Sequence, residues 1–183
     1  VGIDLMKPAV FLDRDGVINE ISVSNGVPHP PNSIEEFRFL PGVREACEAL
    51  NKGGYLLFVA TNQPDVARGT QTQERVEEIN QLVERELPLA AVLCCYHDNA
   101  KQCDCRKPKP GLLLGAARRW AIDLSESFMI GDRWSDTQAG IAAGCRTILI
   151  ERDYSQRDKC NPDWIAQDLP EASKLILPQR RTM

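Results

Sequence analysis

A chain of 183 residues, 43% apolar and 26% charged, has the size and composition of a single folded domain. Its 22 Lys and Arg against 26 Asp and Glu leave a formal net charge of -4, and without a long basic run this argues against non-specific binding to nucleic acid or an anionic membrane surface. The longest apolar runs, such as Tyr55 to Ala60 and Leu87 to Cys95, fall short of the roughly 20 residues of a membrane-spanning helix, and Val1 to Pro8 lacks the apolar core of a signal peptide, so a cytoplasmic protein is expected.

The first apolar run, Ala9 to Asp13, ends on a carboxylate with Gly16 soon after, which predicts a buried strand and a sharp turn. Val43, Ala46, Cys47 and Leu50 recur at helical spacing and stop at Gly53-Gly54, after which Tyr55 to Thr61 reads as a second strand. Val76, Ile79 and Val83 predict a helix with Thr72 as its N-cap, and Ala90 to Cys95 a third strand. Leu112 to Ala121 and Asp136 to Ala143 predict two further helices, Ser127 to Gly131 and Thr147 to Glu151 two further strands. Beyond Asn161 the apolar Trp164, Ile165, Leu169, Leu175 and Ile176 predict a short strand and a terminal helix, with Pro178 to Met183 a frayed tail.

This alternation specifies an α/β domain over residues 1–183, a Rossmann-like parallel sheet with helices on both faces. Ligands of such sheets bind beyond the carboxyl ends of the strands, which is where Asp13, Thr61 and Asp132 fall.

Asp13-Arg14-Asp15-Gly16 puts two carboxylates where a strand stops, and Gly16 permits the turn that lets both face one point. That pair suits a nucleophile that accepts a phosphoryl group, beside a general acid for the leaving oxygen. Thr61, Asn62 and Gln63 offer a hydroxyl and two amides to phosphate oxygens. Asp132 ends a later strand and, with Asp13, could hold Mg2+, a cation usually bound by one or two carboxylates plus water and phosphate. Asp136 reads as an outer partner of that cation or as the acid of a helix N-terminus. In Arg106-Lys107-Pro108-Lys109-Pro110-Gly111, Lys107 is the chosen cation for the transferring phosphoryl group, with Lys109 the alternative.

Of the seven cysteines, Cys95, Cys103 and Cys105 combine with His97 into a Cys3His set, which closes a tetrahedral zinc site and leaves no open position, the mark of a structural ion. Cys94 alternates to the opposite face of its strand and reads as core, as do Cys47, Cys145 and Cys160 as bystanders. Cys105 lies two residues before Lys107, so the metal would order the loop that carries the lysine. Taken alone, the cluster also suits a zinc knuckle of a nucleic-acid-binding module, or a phosphate-binding regulator that does not turn over; the net charge of -4 opposes the first and the intact Asp13/Asp15 pair the second.

Asp13-x-Asp15-Gly16, Thr61-Asn62, Lys107 and Gly131-Asp132 occur in the order of the four motifs of the haloacid dehalogenase (HAD) superfamily of phosphohydrolases, which the chain resembles over about residues 9 to 150. The resemblance implies Asp13 as nucleophile, Asp15 as acid and base, Thr61 and Lys107 as phosphate stabilisers, and Mg2+ on Asp13, Asp132 and the Asp15 backbone carbonyl. The intervals between motifs are too short for an inserted cap domain, so the site is expected to be open, bounded by Asn19 to Asn32, Gln63 to Thr70 and the zinc loop, about residues 95–105. A capless domain with such a loop is similar to two subfamilies, one acting on heptose bisphosphates for lipopolysaccharide or surface glycans, the other on histidinol phosphate. Val66-Ala67-Arg68-Gly69 and Cys103 to Leu112 resemble the first; the five-residue interval from His97 to Cys103, and Arg133 after Asp132, match the second. Candidate substrate contacts are Arg14, Asn62, Gln63, Arg106 and Arg133, with a small phosphorylated metabolite as partner and a monomer as the expected state. Trp120, Trp134 and Trp164 read as core or pocket rim.

Overall fold

The computed structural model describes residues 6–179. The first five residues and the last four, parts of the Val1–Pro8 segment and of the tail expected to fray, lie outside the described residues.

Eight strands and six α-helices follow one another: β1 (Ala9–Leu12), β2 (Ser22–Ser24), β3 (Val27–His29), α1 (Val43–Lys52), β4 (Leu56–Asn62), α2 (Asp65–Arg68), α3 (Gln73–Glu86), β5 (Ala91–Cys95), α4 (Gly111–Trp120), β6 (Phe128–Gly131), α5 (Trp134–Ala143), β7 (Arg146–Ile150), β8 (Trp164–Ala166) and α6 (Leu169–Ile176), among the described residues. Six of the strands form one sheet in the order β5-β4-β1-β6-β7-β8, and each neighbouring pair is parallel. β1 is buried along its whole length because helices cover both sides of it.

The period-two alternation of strand side chains sorts the core onto two faces. Val10, Leu12, Leu57, Val59, Phe128 and Ile130 point to one side, where Val43, Cys47 and Leu50 of α1, Ile79 and Val83 of α3, and Leu169, Ala172 and Ile176 of α6 cover them. Ala9, Phe11, Phe58, Ala60 and Met129 point to the other, against Leu113 and Ala116 of α4 and Ala143 of α5. α5 comes close because Gly140 has no side chain: a Cβ there would meet Met129 and Thr147.

Thr72 caps α3, its hydroxyl accepting from the Arg75 amide at 3.3 Å. Two elements differ from expectation. The segment expected as a loop from Asn19 to Asn32 contains an antiparallel hairpin, β2 with β3, turned at Asn25 and Gly26, which both have positive φ as a two-residue hairpin turn demands. The loop after Gln63 contains the single helical turn α2. No helix among the described residues is long and apolar enough to cross a membrane.

Candidate active site

The central strands β1, β4 and β6 end side by side, and their carboxyl ends deliver Asp13, Thr61 and Asp132 to one place, as the alternation predicts. The Asp13 amide still donates to the Ile130 carbonyl at 2.8 Å, so the nucleophile candidate stands on the last rung of the β1–β6 ladder. Lys107 reaches this point from the loop before α4, only 3% exposed. Its Nζ donates to Asp13 Oδ1 at 2.8 Å and to the Ala60 carbonyl at 2.7 Å, and pairs with Asp136 Oδ1 at 2.6 Å. Burial pulls the lysine down, but the charges of Asp13 and Asp136 outweigh it and hold it above its ordinary value, so it stays a cation. Lys109, the alternative, is turned away and donates to the Cys103 carbonyl at 2.7 Å.

Asp136 therefore has a definite job. One oxygen braces Lys107, and the other accepts from the Arg133 amide at 3.0 Å, which caps α5. Gly131 makes room for it, since a Cβ there would collide with the Asp136 side chain.

Asp132 is fully buried. Its Oδ2 accepts from the Tyr154 hydroxyl at 2.7 Å, while Oδ1 has no hydrogen-bond partner among the described residues. Burial, then the charges of Asp13 and Asp136, push this carboxyl well above the ordinary value. Burial likewise pushes Asp13 up to about 6, with Lys107 pulling against it. Asp13, Asp132 and Asp136 offer oxygens within 4.8 Å of one another. Three buried carboxylates, one with an orphaned oxygen, are a donor set that fits a hard cation such as Mg2+. Gly16, at φ 86°, is required here: a Cβ would run into the Asp132 carboxylate. Tyr154 was not anticipated; it lies in a loop after β7 and no short motif announces it.

Asp15 is fixed on both oxygens. Arg14 donates from Nε and Nη2 at 3.3 and 3.2 Å, Asn19 Nδ2 at 3.0 Å and Gln63 Nε2 at 2.7 Å. Burial raises this carboxyl, but the Arg14 charge and these donors outweigh it, leaving Asp15 below the ordinary carboxylate value. Arg14, expected to touch substrate, is instead fully buried and lies outside the cleft; its guanidinium serves Asp15 and Asn80. Thr61 is buried beneath the Gln63 amide, which donates to its hydroxyl at 2.9 Å. Asn62 lines the cleft, but its amide is engaged at both ends by the Lys107 main chain, at 3.0 and 3.1 Å, and so sets the lysine loop.

Cys95, His97, Cys103 and Cys105 converge with ligand atoms within 4.8 Å of one another. Separations of 3.9 Å between the sulfurs of Cys95 and Cys103 and 3.7 Å from the Cys95 sulfur to His97 Nδ1 sit near the roughly 3.8 Å edge of a tetrahedron with zinc–sulfur bonds of about 2.3 Å, while the Cys105 sulfur lies closer in, 3.1 Å from that of Cys95 and 3.3 Å from His97 Nδ1. Cys94 sits on the other side of β5, where burial pushes its thiol up to about 11.

The cleft over the carboxylates measures about 420 Å³. Asp13, Asp15, Lys107 and Asp136 form one part of its lining, while Arg68, Arg106 and Arg133 add three cations, with Pro28 of the hairpin also at its wall. A carboxylate pair at strand ends, a buried lysine and an acidic trio fit for a divalent cation are the equipment of a phosphoryl-transfer enzyme on a doubly wound sheet.

A family model for HAD-hydrolase-like proteins matches residues 104–172. The D-glycero-beta-D-manno-heptose-1,7-bisphosphate 7-phosphatase of Escherichia coli (strain K12) is 37% identical, covering 95% of this chain and 96% of its own, and that of Photorhabdus laumondii is 41% identical over 79% and 80%. The crystal structure of D,D-heptose 1,7-bisphosphate phosphatase from B. bronchiseptica, complexed with magnesium and phosphate, superposes with a TM-score of 0.80 at 27% identity, covering 94% of this chain and 99% of that one. The chain belongs to this heptose-bisphosphate phosphatase family of HAD-like hydrolases.

Proposed function

We propose that the protein is an Mg2+-dependent phosphomonoesterase that removes the 7-phosphate of D-glycero-β-D-manno-heptose 1,7-bisphosphate, working as a single domain. The observation that carries this reading is the two kinds of charge in one cleft: carboxylates with Lys107 for the reacting phosphoryl group, and Arg68, Arg106 and Arg133 for a second phosphate.

In the first half-reaction an oxygen of Asp13 attacks phosphorus, the bond to the sugar oxygen breaks, and Asp15 supplies the proton that oxygen needs. Lys107, held within reach of Asp13, balances charge that spreads over the equatorial oxygens. In the second half-reaction water attacks the aspartyl-phosphate, Asp15 takes its proton, and the bond to Asp13 breaks to release phosphate. Mg2+, held by Asp13, Asp132 and the Asp15 carbonyl with Asp136 beside it, would neutralise charge on the phosphate oxygens and on the carboxylates themselves. Zn2+ on Cys95, His97, Cys103 and Cys105 would be structural, since four protein ligands close its shell.

The family likeness supports the heptose substrate, and so does charge. The far end of histidinol phosphate is an imidazole, which offers no anion to Arg106 and Arg133, whereas heptose bisphosphate presents them with a second phosphate; Arg68 is paired with Asp65 at 3.1 Å on the same wall. The test is phosphate release with Mg2+ from both heptose bisphosphate anomers and from histidinol phosphate, with Asp13→Asn as the blank. One phosphate per heptose bisphosphate, with the β anomer preferred, is the expected result. Preference for histidinol phosphate would overturn the substrate and leave the reaction class in place, whereas release undiminished in Asp13→Asn would overturn the nucleophile.

A further inference from the structure

Arg14 is the largest side chain buried to under 2% exposure among the described residues, yet it is a cation and it stands between the two reacting carboxylates in sequence. A charge in that position must be compensated. Its one carboxylate salt-bridge partner among the described residues is Asp15, which it grips as a fork, Nε on Oδ1 at 3.3 Å and Nη2 on Oδ2 at 3.2 Å. The remaining end, Nη1, donates to Asn80 Oδ1 at 2.8 Å. Asn80 is itself 3% exposed, on the buried face of α3 beside Val76, Ile79 and Val83, a place where a polar residue is otherwise a liability. The chain of contacts therefore runs from a rigid helix packed on the sheet, through Asn80 and Arg14, to the plane of the Asp15 carboxylate. Asn19 and Gln63 each touch one oxygen and could be met by a rotated carboxylate; the fork cannot, because two parallel bonds define a plane.

We propose that Arg14, anchored to α3 through Asn80, is a positioning residue that holds the Asp15 carboxyl in the orientation from which it transfers a proton to the departing sugar oxygen. This rests on the assignment of Asp15 as general acid. Arg14 touches no substrate: it lies outside the cleft lining, whereas Asp15 is part of it.

The reading makes a demand that simple packing does not. A sugar alkoxide is a poor leaving group and needs the proton, while 4-nitrophenolate leaves well without it. The experiment measures kcat/KM, which reports steps up to departure of the leaving group, for heptose bisphosphate and for 4-nitrophenyl phosphate in the full-length enzyme with Mg2+. Asp15→Asn serves as reference and Arg14→Met, Arg14→Lys and Asn80→Leu as tests. Arg14→Met is expected to lose about 100-fold on the heptose substrate and less than about 10-fold on the nitrophenyl ester, following the pattern of Asp15→Asn. Arg14→Lys, which restores charge without the fork, should recover little of the loss. Asn80→Leu keeps Arg14 and Asp15 but frees the anchor; it should show the same imbalance to a lesser degree, and it carries the test if Arg14→Met does not fold.

Equal losses on the two esters in Asn80→Leu and Arg14→Met, or full activity in both, would overturn the proposal. No imbalance in Asp15→Asn would instead remove the acid assignment, and the proposal with it.

Discussion

Asp132 shows what the proposed Mg2+ site would cost the protein that holds it. Its carboxylate is fully buried, lies within reach of two others, and keeps one oxygen without a hydrogen-bond partner among the described residues. Asp132→Asn removes one of these repelling charges. In metal-free buffer it should therefore melt higher than the parent, by the equivalent of about 1–2 kcal/mol, the scale of an unsatisfied buried polar group. Adding Mg2+ should raise the melting temperature of the parent and leave the variant unmoved. A thermal scan with and without Mg2+ checks both, and a variant that melts lower without metal would contradict the account. At this scale much of the site is legible in the residues. Asp13 and Asp132 end apolar runs, Asp15 follows two residues after the first of them, Lys107 follows a cysteine pair, and the fold brings all four to one cleft region. Arg14 was misread because a charged residue inside a loop motif looks like a ligand contact, and nothing local reveals a guanidinium that turns inward to Asn80, 66 residues away. Tyr154 is invisible for the same reason: its value comes only from the fold bringing it to Asp132.

The strands and long helices follow directly from apolar runs and helical stripes, since burial on two faces leaves a strong pattern. The hairpin from Ser22 to His29 does not: Val23 and Val27 are both more than half exposed, so no burial pattern marks it, and only the Asn25-Gly26 pair carries a turn signal. The loop with the proposed zinc site is the element with the sharpest prediction. It has few apolar residues to order it, yet it sets Lys107 through the Asn62 amide and ends where Gly111 must be bare, because a Cβ would meet the Asp104 carbonyl. Cys103→Ser should lose zinc and lower kcat by about 10- to 100-fold, with the sheet and Asp13 intact; the range is the usual cost of disturbing a metal site's support. Zinc content by mass spectrometry, circular dichroism and turnover together decide it, and a zinc-free, folded variant with normal turnover would refute the coupling.

Across the whole molecule the seven cysteines divide by environment, which alkylation can read in one experiment. Burial pushes Cys47 and Cys145 up to about 12 and Cys94 up to about 11, so these thiols are protonated near neutrality as well as enclosed or partly enclosed. In the folded protein supplied with Mg2+ and Zn2+, iodoacetamide should leave Cys47 and Cys145 unlabelled. Chelation should then expose Cys95, Cys103 and Cys105 as a group of three, counted by intact mass. Labelling of that trio at the same rate before and after chelation would contradict a metal-ordered loop.

The order of the sheet carries one more consequence. Asp13, Thr61 and Asp132 stand at the ends of its central strands, whereas Pro28 in the hairpin, Arg68 at the end of α2 and Arg106 in the loop before α4 stand outside the six-stranded sheet. On the proposed mechanism the groups that break the bond are thus a floor, and those that would select what sits on it are a rim. The five residues from Asp98 to Gln102 could grow or shrink between His97 and Cys103 with the proposed zinc still closing the loop behind them. A chain of this design can take up a new phosphate ester by editing its rim, and every such descendant would inherit the same floor.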